Sequence, residues 1–189
     1  MAQSTHYFLG IHLPKIIRNK LVETLQLFKN DLPFKKWVHQ DDLHLTLAFL
    51  GHPKSPEHLE NLISSMKLRD NNLAPFSLNI THTGTFGRSN SPRIFFAGIT
   101  RSEQLNLLHN KVYSECIDAG FKLDPRPFSP HITLARGWEG ENGFTRQVQL
   151  EEELMRQPLS FQVEEFVLFQ THLDRVPKYE VINCFRIFG

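Results

Sequence analysis

Two hydrophobic rhythms alternate along the chain. Residues 6–12, 44–50, 76–86, 93–99, 131–136, 160–170 and 179–187 are short apolar-rich runs that read as strands. Between them the apolar spacing turns helical. Ile17, Leu21, Leu25 and Phe28 mark a helix over 14–29, with Pro14 near its start, where proline is tolerated. Leu59, Leu62, Ile63 and Met66 mark a second helix opened by Ser55-Pro56. Leu105, Leu108, Val112 and Cys116 line a third, which Ser102 caps and Gly120 ends. A short helix is expected near 147–156. Stretches 70–75 and 86–92 are turn-rich, and 137–144 holds three glycines, which predicts a mobile loop.

The order of elements repeats. Moved along by about 87 residues, the first strand lands on 93–99, and Phe8-Leu9-Gly10-Ile11 faces Phe96-Ala97-Gly98-Ile99. The first helix lands on 103–119 and the strand at 76–86 on 160–170. Self-similarity of this kind predicts one unit present twice. Two copies are too few for a solenoid, so a pseudo-symmetric pair of lobes within a single domain over 1–189 is the expectation.

Composition narrows the class. At 189 residues the chain suits one domain, or two small lobes sharing a core, and a 40% hydrophobic fraction with 16 Phe can fill it. The formal net charge of +1 excludes a general nucleic-acid coat but leaves room for a local phosphate pocket. Cys116 and Cys184 read as small buried hydrophobes rather than a disulfide framework. The start of the chain does not read as a signal peptide, and no run reaches the ~20 apolar residues of a membrane span. A soluble, cytoplasmic monomer is expected.

The chemistry concentrates in two matching pentapeptides, His44-Leu45-Thr46-Leu47-Ala48 and His131-Ile132-Thr133-Leu134-Ala135, whose histidines lie 87 apart (131 minus 44). Side chains alternate along a strand, so His44 shares a face with Thr46, and His131 with Thr133, while Leu45, Leu47 and Phe49 take the opposite face, as do Ile132 and Leu134. Displacement at a phosphodiester needs a base for the nucleophile and an acid for the departing oxygen, on opposite sides of phosphorus. Histidine, with an ordinary pKa near ~6.5, suits both tasks. Threonine hydroxyls can donate to the non-bridging oxygens as charge develops. His39, Asp41 and Asp42 offer a rival metal cluster, but nothing similar precedes His131, so neither a metal nor another cofactor is expected. Ser129 lacks the elbow that would expose a nucleophile. There is no glycine-rich P-loop.

The paired H-[LI]-T-L motifs resemble those of the 2H phosphoesterase superfamily. Their flanks are similar to its bacterial branch, the RNA 2′,3′-cyclic phosphodiesterases once called 2′-5′ RNA ligases. The resemblance runs through residues 8–14, Trp37-Val38, residues 44–51, Pro92-Arg93 and, most specifically, the run 126–136. It implies an α+β, bilobal, pseudo-two-fold fold, with antiparallel sheets lining a central cleft and helices outside. It implies hydrolysis of a terminal 2′,3′-cyclic phosphate on RNA or on small cyclic nucleotides to a 2′-phosphate, with joining or cleavage of 2′-5′ linkages in some members. It also implies a phosphate contact for Arg136, against which stands a surface salt bridge. Strict alternation aims Arg136 away from His131 unless a bulge intervenes. Phe49, at the matching offset from His44, is a base-stacking or a core residue. Arg126 reaches RNA or braces its own loop, and Trp37 is a packing residue. Val176-Pro177-Lys178-Tyr179 departs from the Gly-Pro that the family places before its tyrosine. The same pocket also fits an RNA-end or cyclic-nucleotide binding protein without turnover. The resemblance, with Arg136 gathering phosphate on its side, makes His131 the base and His44 the acid.

Overall fold

Among the described residues the strand-forming runs assemble into a nine-stranded sheet. In chain order the strands are β1 (His6–His12), β2 (Phe34–Trp37), β3 (His44–Gly51), β4 (Phe76–Arg88), β5 (Ser91–Ile99), β6 (His131–Trp138), β7 (Leu159–Val163), β8 (Glu165–Thr171) and β9 (Tyr179–Arg186). The helices are α1 (Lys15–Phe28), α2 (Pro56–Leu68), α3 (Glu103–Asp118) and α4 (Val148–Arg156). The structure is a computed structural model that describes residues 5–68, 73–145, 148–156 and 159–187. The expected turn at 70–72 lies outside them.

The sheet runs β7-β4-β5-β6-β3-β1-β8-β9, with β2 added on β6 and the paired neighbours antiparallel throughout the described residues. Read outward from its centre, one half is β6, β5, β4 and the other is β3, β1, β8. Each half therefore borrows a strand: β4, from the first part of the chain, pairs with β5, and β8, from the last part, pairs with β1. The halves touch at a single rung, Leu45 opposite Ile132. This is the α+β, bilobal architecture, with the two lobes' strands continuous in one sheet rather than in separate ones.

One face of the sheet carries the core. Leu45, Leu47, Ile132 and Leu134 are buried there with Leu21, Leu62, Leu105 and Leu108 of the helices. Ser102 accepts a hydrogen bond from the Leu105 amide, which caps α3. At its other end Gly120, with φ +88°, lets the Phe121 amide reach the Cys116 carbonyl and the Gly120 amide the Ile117 carbonyl. That closes the helix, with Phe121 packed down onto the core.

Four expectations need correction. The run at 160–170 is two strands, β7 and β8, because Glu164 and Glu165 are both exposed and alternation cannot continue through them. The turn at 86–92 narrows to residues 89–90 of a hairpin. The run at 137–144 is tied down: the Glu139 amide donates to Pro33, the Phe144 amide to Asn90 and the Trp138 indole to Asn142, while the Phe144 ring packs against Phe34, Phe95 and Trp138. Cys184 is exposed, since β9 is an edge strand, whereas Cys116 is buried.

Candidate active site

The single rung between β3 and β6 fixes the geometry of the motifs. In antiparallel register, one residue either side of Leu45–Ile132 sets His44 opposite Thr133 and Thr46 opposite His131. All four side chains leave the sheet on the face away from the core. The two histidines are then diagonal neighbours, a relation that separates positions by about 7–8 Å in a regular ladder. That span accommodates a tetrahedral phosphate between two imidazoles.

Each ring is held the same way. His44 Nδ1–H donates to the Asp42 carbonyl at 2.7 Å, and His131 Nδ1–H donates to the Ser129 carbonyl at 2.7 Å. A carbonyl only accepts, so Nδ1 carries the proton in both rings and Nε2 presents its lone pair. Behind each imidazole stands a stacked pair of phenylalanines. Phe8 and Phe169, 4.8 Å apart, back His44, and Phe86 and Phe96, 4.5 Å apart, back His131. Tyr179 adds an edge-on contact to His44 at 5.0 Å.

The strands bulge at matching points. Leu9 pairs with Ala48 but Gly10 pairs with Thr46, so Leu47 is the extra residue of β3. Phe95 pairs with Ala135 but Phe96 pairs with Thr133, so Leu134 is the extra residue of β6. Two consecutive side chains then point into the core, Leu47 with Ala48 and Leu134 with Ala135. The next residue of each strand is thrown onto the histidine face. Phe49, expected opposite His44 with Leu45 and Leu47, is 54% exposed. Arg136 is exposed and its charge bears on both His44 and His131. Gly10 is needed beside the first bulge, since a Cβ there would meet the Leu45 carbonyl oxygen at 2.7 Å.

Thr46 Oγ lies 3.1 Å from His44 Nε2 and, with Nδ1 protonated, donates to it. A phosphate oxygen must therefore compete for this hydroxyl, or take it over once Nε2 gains a proton. Arg126 is bound to the Asp124 carboxylate through Nε at 2.8 Å, so it braces its own loop at the cleft lip. A cleft of about 650 Å³ opens on the His131 side, lined by Thr46, Phe49, Phe86, Arg126, Phe128 and His131 among others; His44, Thr133 and Arg136 do not line it. Asp41 is paired with Arg18 at 2.6 Å, and the Asp42 carboxylate accepts from the Lys178 amide at 2.8 Å and the Tyr179 amide at 3.0 Å. The acidic candidates for a metal cluster are thus turned to other partners. Phe8 and Phe169 were not anticipated as parts of the site, and Asp42 and Tyr179 were weighed only as a metal ligand and as part of a divergent cleft wall, not as partners of His44. Only the position of Asp42 beside the motif hinted at it.

Burial pushes His44 from its ordinary 6.5 down to about 4, and only the Asp42 carbonyl and carboxylate oppose this. His131 is also lowered, by burial and then by the Arg136 charge. At neutral pH both rings are uncharged. A group whose folded pKa lies below its unfolded value contributes stability above the unfolded pKa and loses it as pH falls. For His44 that window runs from 6.5 down to about 4. By exposed surface His44 is only partly buried, so its contribution is at most about 3 kcal/mol. The thermal midpoint should therefore drop as pH is lowered from 7 to 4, less steeply in a His44→Gln variant. Parallel curves for the two proteins would refute this.

The sequence and the fold that carry this face are similar to those of known proteins. A profile of the 2′-5′ RNA ligase superfamily matches residues 14–175. The chain belongs to that superfamily, the 2H phosphoesterases. Within it, the chain is 36% identical over 184 residues to the RNA 2′,3′-cyclic phosphodiesterase of Bacillus subtilis, covering 96% of each. It is 40% identical over 185 residues to that of Geobacillus stearothermophilus, covering 98% of this chain and 58% of that one, so it spans little more than half of that relative's length. The fold matches Escherichia coli LigT complexed with 3′-AMP at a TM-score of 0.79 and 25% identity, over 99% of this chain and 100% of that one. No helix among the described residues is long and apolar enough to cross a membrane.

Proposed function

We propose that the chain hydrolyses the 2′,3′-cyclic phosphate at an RNA 3′ end to a 2′-phosphate, with His44 and His131 as acid and base. The observation that carries the reading is the pair of Nε2 atoms, fixed in one tautomer and presented from diagonal positions on one face. One imidazole takes the proton of a water whose oxygen bonds to phosphorus. The P–O3′ bond breaks, and the other imidazole gives its proton to O3′. Thr46, Thr133 and Arg136 hold the non-bridging oxygens as charge builds on them. Phe49, exposed at the mouth of the cleft, offers a face for a nucleobase. With a 5′-hydroxyl in place of water, the same steps join two strands through a 2′-5′ linkage. The whole site is one domain made of two intertwined repeats offset by about 87 residues. This reading places the enzyme in the cytoplasm, acting as a monomer without a metal.

The bound phosphate anion favours imidazolium and so supplies the acid that the free site lacks at neutral pH. Two divisions of labour fit the geometry. The family resemblance makes His131 the base and His44 the acid. The desolvation of His44, which keeps it neutral above about 4, favours the exchange of roles.

The test is product analysis after incubation with a short RNA ending in a 2′,3′-cyclic phosphate, with chelator present. The expected product carries a 2′-phosphate and a free 3′-hydroxyl. Binding without product at high enzyme concentration would leave an RNA-end binding protein instead. Activity that disappears with chelator and returns with added metal would overturn the two-histidine mechanism.

A further inference from the structure

Three cations gather on the His44 side, away from the aromatic cleft. Lys36 of β2 sits directly across from Arg136 of β6 in the ladder. Lys178 follows β8 and is anchored through its amide to Asp42, the residue whose carbonyl holds His44. Lys36 crowds the Lys178 amine, and this crowding, with burial and the Arg136 charge, lowers the Lys178 ammonium from its usual value. Lys35, by contrast, has a carboxylate neighbour in Glu139 at 3.8 Å. Among the described residues none of Lys36, Arg136 and Lys178 is in ion-pair contact with a carboxylate.

Like charges placed opposite one another on neighbouring strands destabilise a sheet. In a chain of net charge +1, three of them crowded beside a single buried carboxylate, Asp42, leave a local excess of positive charge that can trap an anion. The phosphodiesterase reading assigns Arg136, whose charge bears on both rings, to the phosphate between the histidines. Lys36 and Lys178 then remain for a second anion beside the first. The cleft on the opposite side, lined by Phe49, Phe86 and Phe128, suits a base rather than a phosphate.

We propose that Lys36 and Lys178 form a second anion subsite. It takes the 5′-phosphate of the nucleotide whose cyclic phosphate lies between the histidines. This inference rests on the phosphodiesterase reading and narrows its substrate to the end of a polynucleotide chain. A lone nucleoside cyclic phosphate fills the reactive position but leaves the two lysines facing each other. A nucleotide with a 5′-phosphate relieves their repulsion.

The probes are uridine 2′,3′-cyclic phosphate with and without a 5′-phosphate, which differ only in that group. In the wild-type protein the compound with the 5′-phosphate should have a kcat/KM roughly tenfold higher, the worth of one charge-assisted contact. The ratio should fall toward one as salt is raised. It should fall likewise in Lys36→Gln and Lys178→Gln, which keep most of the side-chain bulk, and furthest in the double variant. A wild-type ratio near one, or a ratio that the glutamines leave unaltered, overturns the subsite. Turnover of neither compound by the wild-type protein strikes the phosphodiesterase reading itself and takes the subsite with it.

Discussion

Replacing either His44 or His131 by alanine should lower kcat by at least ~100-fold, the low end of what a positioned acid or base contributes. The two losses should differ in kind. With a substrate whose leaving oxygen departs readily without a proton, the variant lacking the acid recovers much of its rate and the variant lacking the base stays slow. Recovery of His44→Ala supports the division of roles that the family resemblance implies. Recovery of His131→Ala supports the one favoured by the burial of His44. If neither recovers, separate acid and base roles are wrong. Thr46→Ala and Thr133→Ala should cost less than either histidine, since each removes one neutral donor while others remain.

Asp42→Ala should be the most damaging change outside the two motifs. Asp42 is 5% exposed and its carboxylate accepts the amides of Lys178 and Tyr179, so it fastens the segment before β9 to the turn before β3. Its loss leaves two backbone donors without their acceptor, at a cost of roughly 2–4 kcal/mol. For a chain of this size that lowers the thermal midpoint by about 5–15 °C. It also frees Tyr179 from the ring of His44, so kcat should fall even where the protein is fully folded. Asp42→Asn keeps an acceptor oxygen and should recover part of both. A midpoint within a degree of wild type for Asp42→Ala would show that the clasp carries no load.

The local chemistry of the sequence reaches a long way into this fold. Ser102 and Gly120 mark the ends of α3 because a cap and a left-handed residue are requirements of single positions. The two pentapeptides announce a shared face because strand alternation is a local rule. What was hidden has non-local causes. β2 carries two lysines in four residues and exists only because β6 offers it an edge. The aromatic wall of His44 comes from Phe8, Phe169 and Tyr179, which spacing alone cannot bring together. The bulges fall between these cases. Strict alternation sends Phe49 and Arg136 to the core, yet Leu47-Ala48 and Leu134-Ala135 are consecutive apolar pairs where alternation calls for one apolar and one polar residue. Those paired breaks were the visible trace of the bulges.

The exchange of β4 and β8 between the halves governs when a working site first exists during synthesis. The half containing His44 has its own β1 and β3 early, but the strand that flanks β1 and carries Phe169 is β8, near the far end of the chain. Asp42 likewise waits for residues 178 and 179. On the ribosome, His44 therefore emerges with Phe8 but long before Phe169 and Tyr179, the rest of the wall that desolvates it. The imidazole stays wet, and its pKa stays ordinary, until almost the whole chain is out. A prematurely terminated product that keeps both histidines thus still lacks the pocket that tunes one of them.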